Sequence, residues 1–214
     1  MLSEKFDDLL IKIGNPSLEK PIFYNASVGI RFEIGNESPI YLEGSDPDTN
    51  IVNHQYIAAA LQRAKAIYTA LPHAPNLLRI DTYPKEEASG RGIELDPDAL
   101  QSLFHFPHEQ RSMQVSDDDE EYTTLQLYWN LDKLAFSPDL LLREIIKADL
   151  GGISSLASSV YFANTEDVYL YHIYDDRGAD LVAESKELLR PIYHNFYPWI
   201  LDYDKKRIDK LFVK

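Results

Sequence analysis

The chain has 214 residues, 44% of them hydrophobic, with 35 acidic against 21 basic residues and a formal net charge of −14. That length fills one good core and no Gly-, Ser- or Pro-rich linker divides it, so a single domain over 1–214 is expected; its charge repels nucleic-acid phosphates and anionic lipid and favours a basic partner. There are no cysteines, which excludes disulfides, thiolate nucleophiles and thiolate zinc sites and suits a reducing cytoplasm.

Met1 to Ile13 lacks the charged start, apolar centre and small-residue cleavage site of a secretory leader, and no apolar run reaches the length of a membrane span. A cytoplasmic location is expected, with neither nucleic acid nor membrane as a partner. Ser3 can cap a first helix with Phe6, Leu9, Leu10 and Ile13 on one side, stopped by Gly14-Asn15-Pro16. Ser27 to Ile34 alternates, with Val28, Ile30, Phe32 and Ile34 on one face and Gly29, Arg31 and Glu33 on the other. This is a half-buried strand. Arg31 and Glu33 are expected in cross-strand ion pairs on a solvated face, or as part of a contact surface.

Pro39 to Leu42 reads as a second strand and Gly44 to Asn50 as a polar turn. Asn53 opens a helix in which Ile57, Leu61, Ala64, Tyr68 and Leu71 follow the helical period until Pro72. Leu77 to Tyr83 reads as a strand, Lys85 to Arg91 as a loop, and Asp96-Pro97 as the start of a short helix reaching Phe104. His105 and His108 lack a third ligand at a readable spacing and are expected at the surface or partly packed. The acidic run from Asp117 to Glu121 reads as a solvated loop. Thr123 to Asn130 is a strand, and Ser137-Pro138-Asp139 starts a helix with Leu141, Leu142, Ile145 and Ile146 as its buried stripe, stopped at Gly151-Gly152. Asp149, near that helix's C-terminal end, opposes the macrodipole and hints at a partner for its carboxylate.

Ser158 to Phe212 holds the densest set of ionisable and aromatic residues. Val160 to Phe162 and Val168 to Tyr174 read as strands joined by the turn Asn164 to Asp167, and Ala179 to Ala183 as a third strand after Asp175-Asp176-Arg177-Gly178. In that second turn Asp bonds nearby backbone N–H groups and Gly178 is expected to supply a positive φ. Ser185 caps a helical arm presenting Leu188, Leu189, Ile192, Tyr193 and Phe196 to the core, kinked or restarted at Pro191. Asp204 can cap a last turn holding Ile208, Leu211 and Phe212. Short connections imply antiparallel pairing. The expected fold is α+β, a mostly antiparallel sheet with helices packed chiefly on one face.

The Asp-Asp-Arg-Gly run has a bland reading, a β-turn with Arg177 neutralising its neighbours. The sharper reading is a partner-binding surface made of Asp175, Asp176, Arg177 and Asp180, joined by Asp202 and Asp204 if the last helix packs back. The same oxygens could take a hard cation, and His172 beside them could act as a general base. By its alternation with Val168, Leu170 and Tyr174, His172 reads first as a packed core-edge histidine. The chain has no Gly-rich phosphate loop, no Gly-x-Ser-x-Gly elbow and no His-Glu-x-x-His helix, and nothing directs a cofactor or metal to it. Gly90-Arg91-Gly92 has no helix directly behind it and reads as a loop. Tyr24, Tyr161, Tyr169, Tyr171, Tyr174, Tyr193 and Tyr203 read as sheet packing or as interface residues.

The Tyr-Asp-Asp-Arg-Gly-x-Asp run from Tyr174 to Asp180 and the Trp-Ile-Leu-Asp-Tyr-Asp run from Trp199 to Asp204 resemble the bacterial domain-of-unknown-function family 3885. The resemblance is strongest over the last quarter of the chain and continues through Gly29-Ile30-Arg31-Phe32-Glu33 and Leu61-Gln62-Arg63-Ala64. Lys205 stands where the family usually carries Arg, which keeps the charge but not a bidentate contact. The resemblance implies a compact bacterial domain and brings no catalytic residues with it.

Composition and aromatic content together give the expectation of a protein-binding module that masks a basic surface, as immunity proteins and antitoxins do. An enzyme or cation-binding protein using His172 and the Asp175 turn is the alternative. A concave pocket collecting His172, Arg177 and several Asp residues would favour the enzyme, and a flat acidic face the binding module.

Overall fold

The computed structural model describes residues 1–35, 37–42, 51–82, 103–117, 120–134, 137–148, 150 and 158–213. The readings of Gly44 to Asn50, Lys85 to Arg91, Gly90-Arg91-Gly92, Asp149 and Gly151-Gly152 lie outside them, as does most of the helix expected from Asp96 to Phe104.

Seven strands form one sheet: β1 Val28–Glu33, β2 Leu77–Thr82, β3 Glu109–Asp117, β4 Glu120–Asn130, β5 Ser158–Asn164, β6 Tyr169–Ile173 and β7 Gly178–Ala183. Their spatial order is β1-β7-β6-β5-β2-β4-β3, and every neighbouring pair is antiparallel. The β5-β6-β7 meander is local, as its short turns require. β1 and β2 are carried to it from far away in the chain.

Helices cover chiefly one face. On that face Ile30, Phe32, Ile80, Trp129, Phe162 and Leu181 pack against apolar stripes of α3 (His54–Thr69), α4 (Asp139–Ala148), α5 (Lys186–Asn195) and α6 (Asp202–Phe212). The opposite face is closed over Leu77, Tyr128, Tyr161, Leu170 and Val182 by Phe6, Leu9, Leu10 and Ile13 of α1 (Leu2–Ile13). A short α2, Ile22–Asn25, follows α1 and contacts the β1–β7 end. Among the described residues no helix is long and apolar enough to cross a membrane.

Because α1 closes the second face, polar residues at alternate strand positions are buried instead of solvated. Every residue of β2, β6 and β7 is buried. In register, Arg31 faces Asp180, Asp180 faces His172, and Tyr161 and Tyr128 both face Arg79. The His172 ring stacks on Tyr161 at 4.6 Å between centroids, which carries this polar row across the sheet. Buried polar groups must be paired, and these are. Arg31 forms a bidentate contact with Asp180 at 2.8 and 3.1 Å, and Arg79 one with Asp81 at 2.7 and 2.8 Å. The expected surface pairing of Arg31 is therefore corrected to a buried one with Asp180, while Glu33 stays exposed.

Other elements also depart from the sequence reading. Pro39 to Leu42 forms no strand, only one bridge from Tyr41 to Val52. The acidic run is not simply a loop: Asp117 ends β3 and Glu120 and Glu121 begin β4. β3 was not foreseen. Ser3 lies inside α1 and does not cap it. Asn53 and Ser185 do cap their helices, accepting from the N–H groups of Gln55 and Glu187. α5 runs undivided through Pro191 because Leu189, Ile192 and Tyr193 remain buried on either side of it. Asp204 likewise sits within α6, not at its cap.

Candidate functional site

The turn between β6 and β7 is closed by Tyr174 N–H donating to Gly178 O at 3.2 Å. Asp175 Oδ1 accepts from the backbone N–H of Arg177 and of Gly178, both at 2.8 Å, and its Oδ2 takes Arg177 Nε and Nη2 at 3.2 and 2.8 Å. This is the hydrogen-bonded Asp turn that the sequence suggests. Asp176 is buried and accepts from the Tyr56 hydroxyl of α3. Burial, then Asp176, pushes the Tyr56 hydroxyl pKa up. The Arg177 carbonyl accepts from Ile34 N–H at 2.7 Å and Gly35 N–H at 3.2 Å, fastening the turn to the chain leaving β1.

Gly178 has no left-handed φ, so the expected reason for it is corrected. The cause is close approach: a Cβ at Gly178 would lie 1.9 Å from the Tyr174 hydroxyl oxygen. The Tyr174 ring lies across the glycine, 40% exposed, with its centroid 5.2 Å from the Arg31 guanidinium carbon. That guanidinium is also 4.8 Å from the Tyr24 ring, a stacked arrangement that suits a delocalised cation. Burial alone would lower the Arg31 pKa, but the Asp180 carboxylate outweighs it and holds the guanidinium protonated. Asp180 also accepts from Phe23 N–H at 3.0 Å, and the Tyr24 hydroxyl donates to Asp204 at 2.9 Å.

Of the six residues singled out in the sequence, Asp175, Asp176, Arg177 and Asp180 gather at the β1–β7 edge, and Asp204 joins them through Tyr24. Asp202 stands apart at the start of α6, its side chain 93% exposed and 3.0 Å from Lys205. Asp175, Asp176, Asp180 and Asp204 are buried and already engaged by donors. Among the described residues no group of three or more His, Asp or Glu side chains comes together as a metal site.

His172 lies on the same face as Asp180 but points into the packing. Its Nδ1 is 2.8 Å from Val160 O, and burial lowers its pKa to about 4. Its cross-strand carboxylate, Asp180, is taken by Arg31.

Beside the turn an open groove of about 560 Å³ is lined by Phe32, Glu33, Ile40, Tyr56, Tyr174, Asp175, Arg177 and Leu201, among others. Its floor is apolar and aromatic. Its rim carries the exposed Glu33 carboxylate and the Arg177 side chain, 69% exposed. The groove collects Arg177 and Asp175 but not His172. Leu201 N–H donates to Arg31 O at 3.0 Å, and Arg63 of α3 donates to Glu33 O at 3.3 Å and to Gly35 O, so the outer edge of β1 is covered at this end. Sequence reasoning missed Tyr56, Arg63 and the groove role of Glu33. Glu33 and Arg63 carried a signal, each lying in one of the stretches of family resemblance, and Tyr56 carried none.

An antiparallel sheet with a groove at the end of its β1–β7 pair is thus the scaffold; the run Tyr174–Asp180 gives the groove Tyr174, Asp175 and Arg177, and the run Trp199–Asp204 gives it Leu201. The chain belongs to the family described as Domain of unknown function (DUF3885), whose model matches residues 6–204. It is similar to the uncharacterized protein YnaE of Bacillus subtilis (strain 168), 31% identical over 75 residues, which cover 30% of this chain and 35% of that protein. The match therefore spans about a third of that relative's length. No solved structure matches the chain.

Proposed function

We propose that this chain is a protein-binding module that captures a basic partner, in the manner of an immunity protein or antitoxin, and that the groove beside the Asp175 turn is where it docks. The observation that carries this reading is the groove's composition. Partly exposed Ile40, Leu201 and Tyr174 sit beside the charged Glu33 and Arg177 side chains, the arrangement found at the centre and edge of protein interfaces. The net charge of −14 supplies long-range attraction for a cationic partner. Asp175 and Asp176 contribute by shaping the turn, and Glu33 is the groove's exposed carboxylate.

The test is capture from native cell extract at low salt, comparing the wild-type chain with Glu33→Lys. This side chain is exposed, so the variant keeps the fold. The expected result is a basic protein, identified by mass spectrometry, that the wild type retains and the variant loses, with association slowed about tenfold in subsequent kinetics. Equal capture by both proteins at low salt would remove the groove rim from the proposal. Reversing Asp175 or Asp176 is a poorer test, because each holds the turn together.

A further inference from the structure

The outer face of α6 has a chemistry opposite to that of the rest of the chain. Its sequence is Asp-Tyr-Asp-Lys-Lys-Arg-Ile-Asp-Lys-Leu-Phe. Two of its acids are engaged by tyrosines: Asp204 by Tyr24, and Asp209 by Tyr193 at 2.8 Å and Tyr197 at 3.3 Å. Tyr203, Lys206, Arg207 and Lys210, at i, i+3, i+4 and i+7, are all exposed and form one stripe. Tyr203 is 86% exposed. Among the described residues neither the Lys206 nor the Lys210 ammonium has an ion-pair partner. Arg207 rests on the rings of Phe23 and Tyr24, 5.1 and 5.3 Å from their centroids, which fixes its stem and leaves an exposed side chain. An open hollow of about 590 Å³ flanks the stripe on the side of Lys206 and Lys210, which line it with Lys205, Val213, Asp202 and Asp209.

In a chain with 35 acidic and 21 basic residues, three exposed cations, Lys206, Arg207 and Lys210, on one helix face run against the overall balance. Of the helix's own carboxylates, Asp202 lies 3.0 Å from Lys205, while Asp204 and Asp209 accept from tyrosine hydroxyls. We propose that this stripe docks a short acidic segment of a partner protein. Tyr203 is its aromatic anchor, and Lys206 and Lys210 are its carboxylate contacts. An exposed aromatic flanked by cations is the composition of an interface hot spot, and charge complementarity selects the occupant. From Tyr203 to Lys210 the stripe spans roughly 10 Å at the helical rise. That length suits a few carboxylates. A nucleic-acid strand or an anionic membrane would extend beyond it over a molecule of net charge −14 and be repelled. The inference uses different residues from the groove and does not depend on it.

The experiment is fluorescence anisotropy of a labelled short poly-glutamate peptide titrated with the full chain at low salt. A labelled single-stranded oligonucleotide of similar length and phosphatidylserine-containing vesicles form the parallel arms. The peptide is expected to bind, about tenfold more weakly to Lys206→Glu/Lys210→Glu and several-fold more weakly to Tyr203→Ala. All these side chains are solvent-facing, so circular dichroism should remain that of the wild type. Glu33→Lys is expected to leave peptide binding intact, which separates this surface from the groove. No peptide binding by the wild type, or equal binding by the charge-reversal variant, would overturn the proposal. Tighter binding of the oligonucleotide or the vesicles, lost in the same variant, would overturn it by assigning the stripe to another class of partner.

Discussion

His172 and Asp180 are neighbours across β6 and β7, and both are polar side chains that the fold has taken out of water. For His172 this has a pH consequence. Its pKa is lowered from 6.5 to about 4, with burial as the largest cause. Above about pH 6.5 the group is neutral in both states and contributes nothing. As pH falls through that value the unfolded chain takes a proton that the folded chain refuses, so stability declines until about pH 4. The total loss is about 3 kcal/mol. Urea unfolding at a series of pH values should show this fall, and His172→Gln should flatten it within the same window. Asp180 makes a different prediction. Replacing it with Ala leaves the Arg31 guanidinium buried without its bidentate partner, and should cost about 3–5 kcal/mol in urea unfolding. A cost near zero would mean that Arg31 reaches water freely. The sequence already read His172 as packed, and it is, whereas it set Arg31 on a solvated face. Alternation groups the residues of one strand by face, but it cannot say which strands lie side by side or whether that face is covered.

At the scale of elements, the first helix is held by a residue far from it in sequence. Glu109 at the start of β3 accepts from Leu2 N–H at 2.6 Å, Ser3 N–H at 3.2 Å and the Ser3 hydroxyl. Burial opposes ionisation of this carboxyl, but those three donors prevail and lower its pKa. A carboxylate facing helix N–H groups also complements the macrodipole. Glu109→Ala should therefore cost about 1–2 kcal/mol, with faster amide exchange in the first turn of α1. Unchanged exchange there would show that apolar packing alone seats the helix. Ser3 suggested a local cap in the sequence, and the actual cap comes from 106 residues away. β3 itself was unreadable because Glu-Gln-Arg-Ser-Met-Gln-Val-Ser-Asp lacks both alternation and apolar weight. Its strand conformation comes from the partner that β4 provides. α3, α4, β1 and the β5–β7 meander were legible, because their periodicity and caps are local.

For the whole molecule, charge is the dominant property. If capture of a basic partner runs through the long-range field of the chain, its association rate should fall steeply from low to physiological salt while dissociation changes little. Stopped-flow or surface kinetics with the captured protein would show this, and a salt effect confined to dissociation would contradict it. The −14 charge, the absence of cysteine, the α+β class and family membership were all determined by the sequence itself. These depend on composition, on side-chain period and on short runs of residues. Tertiary structure alone decided that α1 closes the second sheet face, that Tyr56 and Arg63 meet the β1–β7 edge, and that Gly178 serves the Tyr174 ring instead of a positive φ. Each of these depends on which strand lies beside which and in what register. That choice is made by the packing of distant apolar faces, and no local stretch of the chain contains it.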